Sequence, residues 1–317
     1  LDEVRALVSQ LLQLRGFDPI ANQFFTWPID TATYTDWLEA GLNSLTLRED
    51  AFVPYIDLLN TTLNPEGENT RYLAPDETMD LLRDAIATGE TLINLRVRYR
   101  PTTYEVVRGD TAFAIARKTG IPLFLIEQAN SGRDLNILSV GDVLNIPSPD
   151  AVIPEAPVPD KRIVVDLDAQ YLMAFENGQV VFEWPISSGV RDAPTSPGVY
   201  QILSHREQAY GSSSTLCDAA GVVCGQWEMN WFMGIYEVRP GLVNGFHGSV
   251  LLPNGNMLGD GVIGQPITFG CVMSPDEQAR ALYDWADIGT IVEIVSDEFA
   301  PVSDLGRFTV TQTGTNI

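Results

Sequence analysis

Phe246-His247-Gly248, followed after a Gly/Asn-rich loop by Gln265-Pro266-Ile267-Thr268-Phe269-Gly270-Cys271-Val272-Met273-Ser274-Pro275, is the stretch whose reading decides the C-terminal half of the chain. It holds one of the two histidines and one of the three cysteines in 317 residues. Each is set beside glycine, at what reads as a strand end or a tight turn. A cysteine nucleophile needs a base to take its proton and backbone N–H groups aimed at the developing oxyanion. Gly270 beside Cys271 leaves room for a carbonyl to approach those groups. The competing reading makes Cys271 a buried small hydrophobe and His247 a structural histidine. Spacing alone leaves the two open.

Composition narrows the setting. The chain is long enough for two or three domains, each with its own core. Its hydrophobic fraction of 45% is ordinary for a soluble globular protein. A formal charge of -23 argues against nucleic acid and against an anionic membrane surface as partners. No apolar run approaches the length of a membrane span. The first residues, Leu1-Asp2-Glu3-Val4, have neither the charged nor the apolar region of an export signal, so any such signal is expected to have been removed or left out. Cys217 and Cys224 lie seven apart in a Gly/Ser/Ala loop. That suits a disulfide formed in an oxidising, extracytoplasmic compartment, a reduced pair being the alternative. Cys271 is then the cysteine left over.

The fold class expected is multidomain α+β. Residues 1–100 read as a helical accessory domain ending in a strand. Leu1, Val4, Leu7, Val8, Leu11 and Leu12 recur at helical spacing. Asp36 to Leu45 repeats the pattern after Thr35 as N-cap, Ala51 to Leu63 follows, and Glu77 to Thr88 is stopped by Gly89. Ile93, Leu95, Val97 and Tyr99 then alternate with Asn94, Arg96, Arg98 and Arg100, a half-buried strand whose arginine row is a solvated face or a carboxylate-binding one. Across 104–147 the order is strand, turn at Gly109, helix capped by Asp110 or Thr111, second helix opened by Pro122, loop, and a strand ended by Pro147. Residues 148–161 carry four prolines and read as a semi-rigid linker. A β-rich domain opens at Arg162, with a type I′ hairpin at Asn177-Gly178 and strands to Leu203. Gln208 to Gly245 reads as its least regular part, His205 before it as an exposed loop residue. Ala281 to Asp287 reads as a helix and Thr290 to Val295 as a strand. In the extension 297–317, Phe308 to Gln312 could form one more strand, pairing with a neighbouring element or a second subunit.

The 104–147 pattern resembles a LysM domain over its whole length. That resemblance implies a βααβ fold binding N-acetylglucosamine-containing glycan between Gly109, Asp110, Thr111 and Ala112 on one side and Asn136, Ile137 and Leu138 on the other. A LysM fold serving only as a spacer is the alternative. Residues 162–296 resemble the L,D-transpeptidase (YkuD-type) catalytic domain, whose signature is His-Gly, a spacer, then Ser/Thr-His-Gly-Cys. His247-Gly248, Thr268, Gly270 and Cys271 supply it, together with the Ser188-Gly189 strand end and the Thr195-Ser196-Pro197-Gly198 turn. The chain departs at Phe269, where a second histidine is usual, at Met273, where Arg or Asn is common, and in a longer spacer.

The resemblance implies cysteine acyl transfer on peptidoglycan stem peptides, without metal or cofactor. Cys271 is the nucleophile and His247 the base, with the Gly248 carbonyl orienting the ring and N–H groups around Gly270 forming the oxyanion site. Thr268, Phe269, Phe246 and Trp231 are the substrate-contact candidates, Trp231 being favoured among the aromatics expected to cover the site. Cross-linking and carboxypeptidase outcomes both stay open, and the LysM module would raise the local concentration of catalyst at the wall. A second expectation is a wall-binding structural protein that keeps the fold with weakened catalysis, favoured by Phe269 and Met273 and opposed by retention of His247 and Cys271.

Overall fold

The computed structural model describes residues 12–40, 45–67, 70–211, 227–252 and 254–315, in two compact units, 1–102 and 103–317. Among the described residues no helix is long and apolar enough to cross a membrane.

The first unit combines helices with a small sheet. Strand β1 (Leu12–Asp18) pairs antiparallel with β2 (Gln23–Ile29). Helix α1 (Thr31–Asp36), a two-strand ribbon of β3 (Leu38–Ala40) and β4 (Leu45–Leu47), and helix α2 (Glu49–Leu63) follow. Strand β5 (Arg71–Tyr72), helix α3 (Pro75–Thr88), β6 (Leu92–Arg96) and β7 (Arg98–Tyr99) complete the unit. β6 lies parallel to β1. The α2 and α3 stripes, Phe52, Ile56, Leu59, Met79 and Leu82, close over Leu14, Ile93 and Leu95 as one core.

The two later helices and the alternating strand stand where the sequence places them, and the earlier segments differ. Of the Leu1–Leu12 stripe, residues 1–11 lie outside the described residues, while Leu12 opens β1 with Leu14 buried two positions on. The helix expected over Asp36 to Leu45 is replaced by α1, because Asp30 rather than Thr35 is the cap: its Oδ1 accepts from Thr33 N at 2.9 Å. The chain then turns at Trp37, buried edge-on against Phe52. In the arginine row, Arg98 pairs with Glu77 at 3.0 Å and Arg100 lies over the Tyr72 ring.

In the second unit, β8 (Thr102–Glu105), α4 (Ala112–Thr119), α5 (Leu123–Ala129) and β9 (Val143–Ile146) form the expected βααβ module around Val106, Ile115, Ile126 and Leu144. Thr111 is the cap of α4, accepting from Ala114 N at 3.1 Å. The proline-rich segment is less of a linker than expected. Ser148 caps a 3-10 turn at Pro149–Val152, Val152 and Ile153 are buried, and Glu155 N donates to Gln201 Oε1. The helical module also rests directly on the β-rich part. Gly120 and Gly198 approach so closely that a Cβ on Gly120 would stand 3.0 Å from Gly198 Cα and 2.7 Å from the Phe299 ring. Arg117 forks onto Glu298 beside them.

The β-rich part has two sheets. The first contains β10 (Val158–Asp166), β11 (Tyr171–Glu176), β12 (Gln179–Pro185), β13 (Gly198–Gln201) and β20 (Thr290–Val295), in spatial order β12-β11-β10-β20-β13. Asn177 and Gly178 both have positive φ, as a type I′ hairpin requires. The second contains β14 (Ser204–Gly211), β15 (Trp227–Arg239), β16 (Leu242–His247), β17 (Val250–Leu251), β18 (Met257–Leu258) and β19 (Val272–Met273). Apart from 212–226, which lie outside the described residues with Cys217 and Cys224, the stretch expected to be irregular is therefore long paired strand. His205 is not in an exposed loop. It stands in β14, half-buried, its ring 4.7 Å from that of Tyr283.

Helix α6 (Asp276–Trp285) packs on β15, and α7 (Asp304–Thr313) replaces the expected terminal strand. β-branched residues suggested a strand, but Ser303 caps a helix by accepting from Gly306 N at 2.9 Å. Gly306, Thr309 and Val310 then bury at helical spacing. Beneath them Glu293, wholly buried, pairs with Arg162 at 2.8 Å and accepts from Val302 N and Ser303 N.

Candidate active site

Parallel pairing of β16 with β19 brings the two segments together, Phe246 opposite Val272 and His247 opposite Met273. Cys271 is thus at the entry of β19 beside the end of β16, half-buried in an apolar cluster with Met229, Phe232 and Trp227. Its backbone is held hard. Cys271 O accepts from Thr268 Oγ1 at 2.6 Å and from Thr195 Oγ1 at 3.5 Å. Gly270 before it has φ +102, the left-handed side of backbone space, and a Cβ there would lie 2.2 Å from Asn244 Nδ2. Only glycine meets both demands. The thiol donates to Asn244 Oδ1 at 3.7 Å, and Asn244 Nδ2 donates in turn to the buried Tyr236 hydroxyl, which donates to Gly270 O.

His247 is 3% exposed. Its Nδ1 stands 2.7 Å from Gly248 O, an atom that can only accept. Nδ1 therefore carries the proton and Nε2 the lone pair, the arrangement a base requires. Burial pushes the His247 pKa down to about 4, against the opposing pull of the Gly248 carbonyl and the Asp276 charge. Burial likewise pushes the Cys271 thiol up to about 11, outweighing the Gly245 backbone N–H that favours a thiolate. At neutral pH the two groups are a neutral thiol and a neutral imidazole.

Of the substrate-contact candidates, Phe269 is half-buried and stacks 6.3 Å from Trp227, making an apolar wall beside Cys271. Thr268 is turned inward, its hydroxyl engaged on the Cys271 carbonyl. Phe246 is 2% exposed, within a run from Asn244 to His247 that is buried throughout. Trp231 lies against α6, edge-on to Tyr283 and under Arg280, so Trp227 rather than Trp231 accompanies Phe269. Sequence reasoning passed over Asn244 and Asp276, and read Thr195 only as part of a turn. A polar residue inside the apolar run Val243 to Phe246 was the one signal for Asn244.

In the βααβ module a groove of about 330 Å³ brings together Asp110, Thr111 and Ala112 with Asn136 and Leu138, and adds Phe113, Leu123, Glu127 and Leu135. Gly109 and Ile137 do not line it, Gly109 making the turn at φ +95 and Ile137 pointing to solvent at 73% exposure. Asp110 is occupied by the fold: it accepts from Val107 N, Tyr104 Oη and Lys118 Nζ.

Comparison with known proteins gives two family matches, the L,D-transpeptidase catalytic domain (YkuD) over residues 160–294 and the LysM domain over 104–147. Among solved structures, a cysteine-to-serine variant of the Enterococcus faecium L,D-transpeptidase is 17% identical, covering 93% of this chain and 98% of its own, at a TM-score of 0.42. An L,D-transpeptidase from Mycobacterium smegmatis is 16% identical over 62% of this chain and 91% of its own, at 0.37. L,D-transpeptidase 3 from Mycobacterium tuberculosis is 16% identical over 50% and 76%, at 0.35. None of the curated proteins matches. Superpositions this loose carry no weight for the site, and the assignment rests on the family matches. Residues 104–147 are a LysM domain and residues 160–294 a YkuD-type L,D-transpeptidase catalytic domain.

Proposed function

We propose that the protein is a cell-wall L,D-transpeptidase that exchanges peptidoglycan stem peptides through a thioester on Cys271. The observation that carries the reading is the His247 tautomer: Nδ1 is committed to Gly248 O, leaving the Nε2 lone pair to serve as base at the end of β16, the strand paired with β19, which Cys271 leads into. With both groups neutral, the proton moves during attack rather than before it. Nε2 takes the thiol proton as Sγ bonds to the carbonyl carbon of the third stem residue. Backbone N–H groups around Gly270 and Cys271 take up the oxyanion charge. The imidazolium then protonates the leaving amine of the terminal D-amino acid as the C–N bond breaks. An amine from a second stem, its proton passing to His247, forms a new C–N bond and releases the thiol. Water in place of that amine gives carboxypeptidase activity. The Phe269–Trp227 wall covers the aliphatic part of the stem, and the LysM groove holds N-acetylglucosamine-containing glycan. Both support a site of action at the cell wall.

The test is intact mass after exposure to a carbapenem, whose strained lactam carbonyl is an electrophile for an activated thiol. One drug mass on the wild type and none on Cys271→Ala supports the reading. No adduct on either favours the second reading, a wall-binding protein with weakened catalysis, for which Phe269 in the usual histidine position and the Cys271–Asn244 hydrogen bond are the supporting observations.

A further inference from the structure

The peptide unit between Gly248 and Ser249 is held at both ends. Its carbonyl accepts from His247 Nδ1 at 2.7 Å, and its N–H donates to Asp276 Oδ1 at 2.9 Å. Gly248 N is also tied down, donating to Asn230 O at 2.9 Å, from the position just before Trp231, whose φ of +57 is left-handed. The carboxylate reaches the peptide only because residue 248 lacks a side chain: a Cβ there would stand 2.2 Å from Asp276 Oδ1. We propose that Asp276 is a positioning residue for His247, the carboxylate of a Cys–His–Asp arrangement acting through one intervening peptide bond. A carboxylate on the N–H end polarises the amide, so the carbonyl at the other end becomes a stronger acceptor. Nδ1–H is held more firmly, the tautomer is fixed, and positive charge on the ring is stabilised as it develops. The proposal rests on His247 being the base, as argued above.

Of the titratable groups on the elements packed against β16, Asp276 is the one whose charge bears on the ring. Tyr236 on β15 and Cys271 before β19 are held neutral by burial, and Tyr283 on α6 is likewise raised. Glu277, Arg280 and Asp284 of α6 are exposed to solvent.

The experiment compares Asp276→Asn, Asp276→Ala and Glu277→Gln with wild type in two readouts. One is the pH profile of carbapenem acylation. The other is nitrogen NMR of the His247 ring, assigned with His205→Asn. Asp276→Asn keeps an acceptor oxygen and loses the charge. Its acylation should fall about tenfold, the usual scale for a group orienting a reactive residue, and the acid limb of the profile should move to lower pH. Asp276→Ala should add a mixed Nδ1/Nε2 tautomer in the spectrum. Glu277→Gln, one residue along the same helix turn, should match wild type and so exclude a general helix-terminus effect. Unchanged tautomer and unchanged acid limb in Asp276→Ala would overturn the proposal, as would equal losses in Glu277→Gln. If the wild type itself fails to acylate, the function reading falls, while the ring spectrum alone still decides the relay: a mixed tautomer in Asp276→Ala upholds it and an unchanged one overturns it.

Discussion

The neutral thiol–imidazole pair makes a quantitative claim about how Cys271 reacts. With a pKa of about 11, the thiol is ionised in about one molecule in 10⁴ at pH 7. A small alkylating reagent that reacts only with thiolate should therefore modify Cys271 slowly at neutrality and about tenfold faster with each pH unit. Acylation by a carbapenem should follow a different curve, because on the proposed mechanism His247 removes the proton during attack. The ring's pKa of about 4 leaves it in base form throughout the neutral range, so acylation should be level near pH 7 and fall only as pH drops through that value. His247→Gln should lower acylation at pH 7 by about 10²–10⁴-fold, the usual worth of a positioned base, and give it the steep slope of the alkylation curve. Both rates can be followed by intact mass, and thiolate can be read by its ultraviolet absorbance. A thiolate signal titrating below pH 8 in the wild type would refute the neutral pair. Identical acylation profiles with and without His247 would refute its role as base.

Other outcomes follow from the packing. Gly270→Ala forces a side chain into left-handed backbone space and against Asn244; it should cost about 1–3 kcal/mol in denaturant unfolding and abolish acylation. Glu293→Ala breaks the buried Arg162–Glu293 pair by removing its carboxylate and should cost about 3–5 kcal/mol, read as a lower unfolding midpoint. Burial alone would raise the Glu293 carboxyl, but Arg162 and Ser303 outweigh it and hold it below its ordinary value of 4.5. Its contribution is therefore present above that value and lost as pH falls through the folded one, so Glu293→Gln should flatten this part of the acid unfolding curve. Ala112→Trp fills the LysM groove and should abolish sedimentation with insoluble peptidoglycan while carbapenem acylation of Cys271 stays at the wild-type rate.

What could be read from the chain, and what could not, divides by the range of the interaction responsible. Turn chemistry is local, so Asn177-Gly178, Gly109 and Gly89 mark their turns correctly. The segments around His247 and Cys271 are short, and glycines beside reactive residues signal close approach whatever the fold. The last helix was hidden because its cap, Ser303, sits over a carboxylate ten residues away on another strand, which overrides the strand preference of Phe308 to Gln312. The surroundings of Phe246 and Trp231 were hidden for a related reason: an aromatic near a reactive residue in sequence faces it or faces away according to strand register, and register is set by pairing partners. Asp276 was passed over because an acidic residue opening a helix is ordinary, and its reach to the Gly248–Ser249 peptide exists only once β16 and α6 are packed.

The contact of Gly120 with Gly198 and Phe299 bears on more than packing. A side chain on either glycine would wedge the LysM domain away from the catalytic domain, and the Arg117–Glu298 fork resists rotation about the contact. A groove fixed in this way sets phase as well as proximity. On the proposed function, the span from a sugar in the groove to the Cys271 sulfur is then a constant of the molecule, to be matched against the spacing of stem peptides along a glycan strand. Such a protein would act as a gauge, admitting stems at one offset along the strand and passing over their neighbours.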